Sequence, residues 1–115
     1  ARSVMPLVAA FTNQSWDAGA ASRTVAGGIA IAAPSRQDQI IDILRLVDGT
    51  AVAVEESSIV QMQKALAERE GIFAEPTSAA AFAGLAIIMK QDVILENDTV
   101  LVPITGFGLK DEAPR

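Results

Sequence analysis

A chain of 115 residues, half of them apolar, is long enough to bury one modest hydrophobic core. Nine basic residues against fourteen acidic ones give a net charge of −5, and no run of Lys or Arg could follow a phosphate backbone, so we expect no nucleic-acid partner. The absence of His and Cys removes the commonest general base, the commonest zinc ligands and every disulfide. We therefore expect neither a metal site nor an oxidising compartment.

No stretch of the sequence has the pattern of a membrane span or of a targeting signal. The longest apolar run, residues 79–89, is well short of the roughly 20 residues that a membrane-spanning helix needs. Near the start, Pro6 interrupts the apolar residues 4–11, and no small-residue cleavage pattern follows. We expect a cytoplasmic protein without a membrane partner, and we interpret the start at Ala1, without Met, as a sign of a piece of a longer polypeptide.

The first third of the chain is the least regular part. Apolar positions within residues 3–11 predict a short helix, and the small and polar residues 12–22 predict a loop. Gly27 and Gly28 then precede an apolar stretch that Pro34 ends, because proline disfavours helix at the residue before it.

The middle of the chain predicts two helices with a strand between them. Apolar residues at spacings of three and four predict an amphipathic helix with Ser35 as its N-cap and Gly49 as its C′ residue. Residues 50–54, which are short and rich in Val and Ala, predict a buried strand. Helical spacing resumes at the acidic residue Glu56 and continues to Gly71.

The last third predicts a buried helix and a second strand. Glu75 and Pro76 form a turn, and the helix follows with Thr77 or Ser78 as its cap, running to about residue 90. Nearly every position of this helix is apolar, so we expect other elements to cover it on several sides. A buried strand over residues 100–104 and a polar tail over residues 109–115 complete an α/β pattern. Two strands are too few to bury such a helix, so the missing strands are expected in the rest of a longer polypeptide or in another copy.

Two segments stand out together: GIFAEPTSAAAFAGL, residues 71–85, and TGFGLKD, residues 105–111. In this order and spacing they resemble the closing part of the threonine synthase family of pyridoxal-phosphate (PLP) enzymes. PLVAAF and TVAGGIAIAAP, earlier in the chain, extend the resemblance over almost all of it. The resemblance implies that residues 1–115 are the C-terminal segment of the large domain of a tryptophan-synthase-like, type II PLP fold. In that fold helices pack on a mostly parallel sheet, which would be incomplete here.

The resemblance also implies a reaction. The family is a group of lyases of threonine biosynthesis that convert O-phosphohomoserine and water to threonine and phosphate with PLP as cofactor. Its Schiff-base lysine stands early in the chain, in an S-F-K-D-R setting, and Lys64, Lys90 and Lys110 do not sit in such a setting. We therefore expect no catalytic residue in this chain, no activity of the chain alone and no PLP bound by it alone.

Three residues are candidates for cofactor contacts: Thr105, Gly106 and Glu75. In the family position that matches Thr105, a hydroxyl hydrogen-bonds the pyridine nitrogen of PLP, and a neutral hydroxyl can donate to an unprotonated nitrogen. The alternative is a threonine that ends a strand beside a turn. Gly106 and Gly108 allow close backbone approach and positive φ, which suits a cofactor pocket but also any tight turn.

Glu75 matches a family position on the cofactor side of the large domain, but a carboxylate that caps the next helix is an equally good interpretation. The same holds for the hydroxyls of Thr77 and Ser78. The remaining charges of interest, which we expect to be solvated, are Lys110, Asp111, Glu55 and Glu56.

Two other functions stay open. A serine or threonine dehydratase could share the fold and an E-P-x-x-A stretch, although such enzymes more typically place Ser or Cys where Thr105 stands. A free-standing noncatalytic domain could oligomerise or bind a protein through an exposed sheet edge. For the enzyme, the expected partners are the rest of the polypeptide, a small amino-acid substrate and further copies of the chain.

Overall fold

The computed structural model describes residues 1–110, and four α-helices form within them. The helices are α1 (Pro6–Phe11), α2 (Gln37–Leu46), α3 (Glu56–Glu70) and α4 (Pro76–Lys90), and single 3₁₀ turns lie at Ala18–Ala20, Gly27–Ile29 and Gly108–Lys110. Of the predicted polar tail, residues 111–115 lie outside the described residues, and Leu109 and Lys110 belong to the last 3₁₀ turn.

The predicted short helix near the start is confirmed as α1, which begins at Pro6, a position where the fixed φ of proline suits the first turn. The amphipathic helix is confirmed as α2, but its predicted ends are wrong. Arg36 is the N-cap residue instead of Ser35, and the residue with left-handed backbone is Asp48 (φ 51°) instead of Gly49. Aspartate tolerates this conformation, so the helix ends one residue earlier than expected.

Helix α3 is confirmed from Glu56 onward, and it ends at Gly71 in left-handed backbone (φ 69°), which glycine adopts without a Cβ clash. Its buried residues are Ile59, Gln63 and Leu66, at spacings of four and three. Together they form the face that packs against α4.

Helix α4 begins earlier than predicted, since Glu75 is its N-cap residue and Pro76 its first residue, so neither Thr77 nor Ser78 is the cap. Its buried positions are occupied by short side chains, which lets α3 and α4 approach closely. The hydrophobic core at this contact consists of Ala26, Val54, Ile59, Ala79, Ala80 and Ala83.

Neither predicted strand forms within residues 1–110. Residues 50–54 and 100–104 have no hydrogen-bonded ladder, and Leu101 is 91% exposed. The physical reason is that a strand needs neighbours for its backbone N–H and C=O groups, and this part of the chain supplies none. The expected cover over α4 is likewise incomplete, because Ala81, Ala86 and Met89 are exposed.

Helices α3 and α4 have 15 residues each, and α4 is the more apolar of the two. No helix in the described part of the chain is long and apolar enough to cross a membrane. Residues 1–110 also bring together no group of three acidic side chains that could hold a metal ion.

Candidate functional site

Two short backbone segments from the two motifs pair with each other next to the start of α4. The N–H of Glu75 donates to the carbonyl of Gly106 at 2.9 Å, and the N–H of Gly108 donates to the carbonyl of Phe73 at 2.8 Å. Between these bonds, Ala74 and Phe107 form one antiparallel bridge. The pairing brings the turn that follows residues 100–104 against the N-terminus of α4.

Four side chains form a polar cluster at this junction, here called the Glu75 cluster: Glu75, Ser78, Thr105 and Lys110. Thr105 Oγ1 donates to Glu75 Oε1 at 2.9 Å, and Lys110 Nζ lies 2.5 Å from Glu75 Oε2. Ser78 Oγ accepts a hydrogen bond from the backbone N–H of Thr105 at 3.0 Å and lies 3.2 Å from Thr105 Oγ1. Both carboxylate oxygens of Glu75 therefore have a partner within the cluster.

The cluster has a buried base and an accessible side. Glu75 is 6% exposed and Ser78 is 2% exposed, whereas Thr105 and Lys110 are exposed. A buried carboxylate is stable only when it is paired and hydrogen-bonded, which this one is. A ligand that reaches the cluster would therefore meet the Thr105 hydroxyl before it meets the carboxylate.

The pKa of Glu75 is held below its ordinary value, first by the hydrogen bond from the Lys110 ammonium and then by the bond from Thr105. Burial acts in the opposite direction and is outweighed. The N-terminus of α4 also favours a negative charge at this position. Glu75 is therefore ionised at neutral pH.

Gly106 leaves the room that the Glu75 carboxylate occupies. A Cβ placed on Gly106 would lie 2.5 Å from Glu75 Oε1, and one on Gly108 would lie 2.8 Å from the ring of Phe73. The close backbone approach expected of both glycines is present, but the groups approached belong to this chain. Neither glycine adopts the positive φ that glycine allows, since Gly71 is the one glycine within residues 1–110 that has it.

The structure thus brings together Thr105, Gly106 and Glu75, the three candidates from the sequence. The interpretation of Glu75 as a capping carboxylate is wrong, because its side chain makes no cap hydrogen bond and turns to Thr105 and Lys110 instead. Ser78 was expected only as a helix cap, and its role in holding Thr105 was missed. Its spacing of three residues from Glu75 at a helix start was the available signal.

Solvated charges were expected at four positions. Lys110 and Glu55 are exposed, as expected, although each forms an ion pair, whereas Glu56 is only partly exposed. Lys110 pairs with Glu75, and Glu55 pairs with Arg2. Glu56 accepts hydrogen bonds from Ser3 at 2.6 Å and from Thr24 at 2.9 Å. The fourth, Asp111, lies outside the described residues.

The hydroxyl of Thr77 is also not a cap; it accepts a hydrogen bond from the N–H of Gly28 at 3.0 Å. This contact ties the start of α4 to the 3₁₀ turn of Gly27–Ile29. It fixes the same helix end that carries the Glu75 cluster, so α4 is anchored on two sides at its N-terminus.

Comparison with known proteins identifies the family of this chain. Residues 2–106 match the family of pyridoxal-phosphate dependent enzymes, and the chain belongs to that family, as the sequence resemblance predicted.

Within the family, the chain is similar to threonine synthases. It is 39% identical over 88 residues to the threonine synthase of Methanocaldococcus jannaschii and 41% identical over 88 residues to that of Methanosarcina acetivorans. Each alignment covers 76% of this chain and 22% of the relative. The threonine synthase of Halalkalibacterium halodurans is 34% identical over 88 residues, which are 25% of its length. The chain therefore aligns with a quarter or less of each of these relatives.

Proposed function

We propose that this chain is the C-terminal segment of the large domain of a threonine synthase-like lyase. The complete enzyme would convert O-phosphohomoserine and water to threonine and phosphate in the cytoplasm. The observation that supports this most is the junction of the two motifs in the Glu75 cluster, which places an accessible hydroxyl over a buried, ionised carboxylate. The similarity to threonine synthases favours this reaction over that of a dehydratase.

The cluster fits one edge of PLP, the edge that carries the ring nitrogen. Thr105 would contact that nitrogen, Gly106 would leave room for the Glu75 carboxylate because it has no side chain, and Glu75 would hold the Thr105 hydroxyl in place. When bound, PLP supplies an electron sink for the carbanion chemistry of an amino-acid substrate. Thr105 and Glu75 would hold the ring in its orientation at this edge.

The rest of the polypeptide would complete the sheet. An apolar groove of about 450 Å³ lies between α4 and the extended residues 50–54 and 100–103. Both extended segments lack strand neighbours within residues 1–110. We infer that strands from the missing part of the enzyme fill this groove and form a mostly parallel sheet with them.

The test compares this chain with the full-length polypeptide that contains it, each supplied with PLP and O-phosphohomoserine. We expect the full-length enzyme to release threonine and phosphate in equal amounts, and the isolated chain to release neither. We also expect borohydride to fix PLP to no lysine of the isolated chain, measured by peptide mass. Release of ammonia and an oxo acid from threonine by the full-length enzyme, without phosphate release, would identify a dehydratase. Borohydride-fixed PLP on Lys64, Lys90 or Lys110 would contradict the inactive fragment.

A further inference from the structure

A buried glutamine on α3 holds the backbone just before the Glu75 cluster. Gln63 is 2% exposed, and its side-chain Nε2 donates to the carbonyl of Ala74 at 2.8 Å. Ala74 is itself 1% exposed, so the bond lies inside the protein. A buried amide side chain is costly unless it is hydrogen-bonded, and a position that needed only volume would be filled equally well by Leu or Met. The bond to Ala74 therefore accounts for a glutamine in the core.

This bond reaches the Glu75 cluster through a single peptide group. The carbonyl of Ala74 and the N–H of Glu75 belong to the same planar trans peptide unit, so they point in opposite directions. Gln63 binds the carbonyl, and the N–H donates to the carbonyl of Gly106 at 2.9 Å. The orientation that Gln63 gives to this unit therefore sets the direction of the N–H toward Gly106, the residue after Thr105.

The segment that Gln63 holds determines how the two motifs meet. Glu75 carries the carboxylate that accepts from Thr105 Oγ1 at 2.9 Å. On the other side of Ala74, the carbonyl of Phe73 accepts from the N–H of Gly108 at 2.8 Å. The backbone bonds between the motifs thus lie on both sides of Ala74. A displacement of Ala74 would shift Thr105 relative to the carboxylate of Glu75.

We propose that Gln63 is a positioning residue of the cofactor site: from the core it fixes the peptide unit between Ala74 and Glu75, and through that unit the placement of Thr105. The inference rests on the proposed function, in which Thr105 contacts PLP. The N–H of Ala74 donates to the carbonyl of Ile72 at 3.1 Å, two residues earlier. This local contact moves with the segment, so it cannot replace the bond from α3.

The substitution Gln63→Met tests this role, because methionine is also unbranched and of similar length but has no N–H donor. Gln61→Met is the matched control, since Gln61 lies on the same helix and is exposed. Ile59→Val is the control for core stability. Ile59 is 0% exposed, and this change removes one buried methylene while it leaves the bond between Gln63 and Ala74 in place.

The experiment measures the Kd for PLP of each full-length variant by fluorescence titration, and Tm by circular dichroism. We expect the Kd to rise by about three- to tenfold in Gln63→Met, the effect of losing one hydrogen bond, and to stay unchanged in Gln61→Met and Ile59→Val. We expect Tm to fall in both Gln63→Met and Ile59→Val, so that lower stability alone does not explain a higher Kd. An unchanged Kd in Gln63→Met, or an equal rise in Ile59→Val, overturns the inference.

Amide hydrogen exchange gives a second readout that core stability alone would not move. In Gln63→Met we expect faster exchange at the N–H groups of Glu75 and Gly108, and in Ile59→Val the rates of the unmodified enzyme. Gln63→Asn is a second variant, because its amide is one CH₂ too short to reach Ala74, and it should show the same two effects. Unchanged exchange at Gly108 overturns the inference. Failure of both Gln63 variants to fold overturns it too, because Gln63 would then serve the fold as a whole.

The variant Thr105→Val separates this inference from the proposed function. If Thr105 contacts PLP, its loss raises the Kd for PLP by about tenfold. If Thr105→Val leaves the Kd unchanged, the contact itself is absent, and the proposed site fails together with the inference. If Thr105→Val raises the Kd while Gln63→Met does not, only the role of Gln63 is overturned.

Discussion

At the residue scale, Gly106 and Glu75 depend on each other. The carboxylate of Glu75 occupies the space that any side chain at position 106 would need, and the backbone carbonyl of Gly106 accepts the N–H of Glu75. A larger residue at position 106 would have to displace this buried, ionised group, because its Cβ would lie 2.5 Å from Glu75 Oε1, closer than real Cβ contacts allow. The absence of a side chain at position 106 is therefore what permits Thr105 and Glu75 to be hydrogen-bonded.

The substitution Gly106→Ala should displace the Glu75 carboxylate and break its bond with Thr105. We expect the Kd for PLP of the full-length enzyme to rise by about tenfold or more, the effect of losing a hydrogen bond to a charged group. Gly27→Ala is the control, because a Cβ there meets nothing within 4 Å. Equal PLP affinities for the two variants, measured by fluorescence titration, would show that the space at Gly106 does not matter.

At the element scale, Glu56 joins the irregular N-terminal part of the chain to the start of α3. Its carboxylate accepts from the hydroxyls of Ser3 and Thr24 and from the backbone N–H of Val25. Burial by itself would raise the pKa of Glu56, but these hydrogen bonds outweigh it and the pKa is lowered. The stabilisation by Glu56 is thus present above its ordinary pKa of 4.5 and is lost as pH falls through the lower, folded value.

Replacing this acceptor by Glu56→Gln should loosen the segment around Thr24 and Val25 while α3 itself remains. We expect faster amide hydrogen exchange at Val25. We also expect the free energy of unfolding to fall by about 1 kcal/mol, less than for a fully buried hydrogen bond to a charged group, because Glu56 is partly exposed. Glu68→Gln, at an exposed position of the same helix, is the control. The same exchange rate at Val25 in both variants would show that the carboxylate does not hold this segment.

At the scale of the whole molecule, apolar surface is left uncovered around α4 and the extended segments. Leu46, Leu101 and Leu109 are among the large apolar side chains that are exposed. Residues 50–54 and 100–104 also leave backbone groups unpaired with any strand within residues 1–110. Such surfaces are typical of a face that another part of a protein, or another copy, covers.

The isolated chain should therefore self-associate in solution. We expect light scattering to give a mass that rises with concentration above the 12.0 kDa of one chain. The full-length enzyme is the control, since its own strands would cover these faces, and it should form a homo-oligomer of fixed size. A monomeric isolated chain at high concentration would contradict this prediction.

The sequence by itself determined the helices and the motifs. The positions of α3 and α4 follow from local signals, the helical spacing of apolar residues and Gly71 at a helix end, which act within a few residues. The two motifs pointed to Thr105, Gly106 and Glu75 before any geometry was known. Local signals placed the ends of α2 and the first residue of α4 less well, because several residues nearby could serve as caps.

Only the tertiary structure decided what these residues contact. The bonds of Thr105 with Glu75 and Ser78 join positions 30 and 27 residues apart, and Lys110 reaches Glu75 across a similar separation. The two predicted strands do not form within residues 1–110 for the same reason. A strand is stabilised by pairing with neighbouring strands, which a local sequence pattern does not supply. Residues that contact each other within one or two turns of a helix are close together in the sequence, so a local pattern reveals them. A polar cluster or a sheet forms only when segments that are distant in the sequence come into contact.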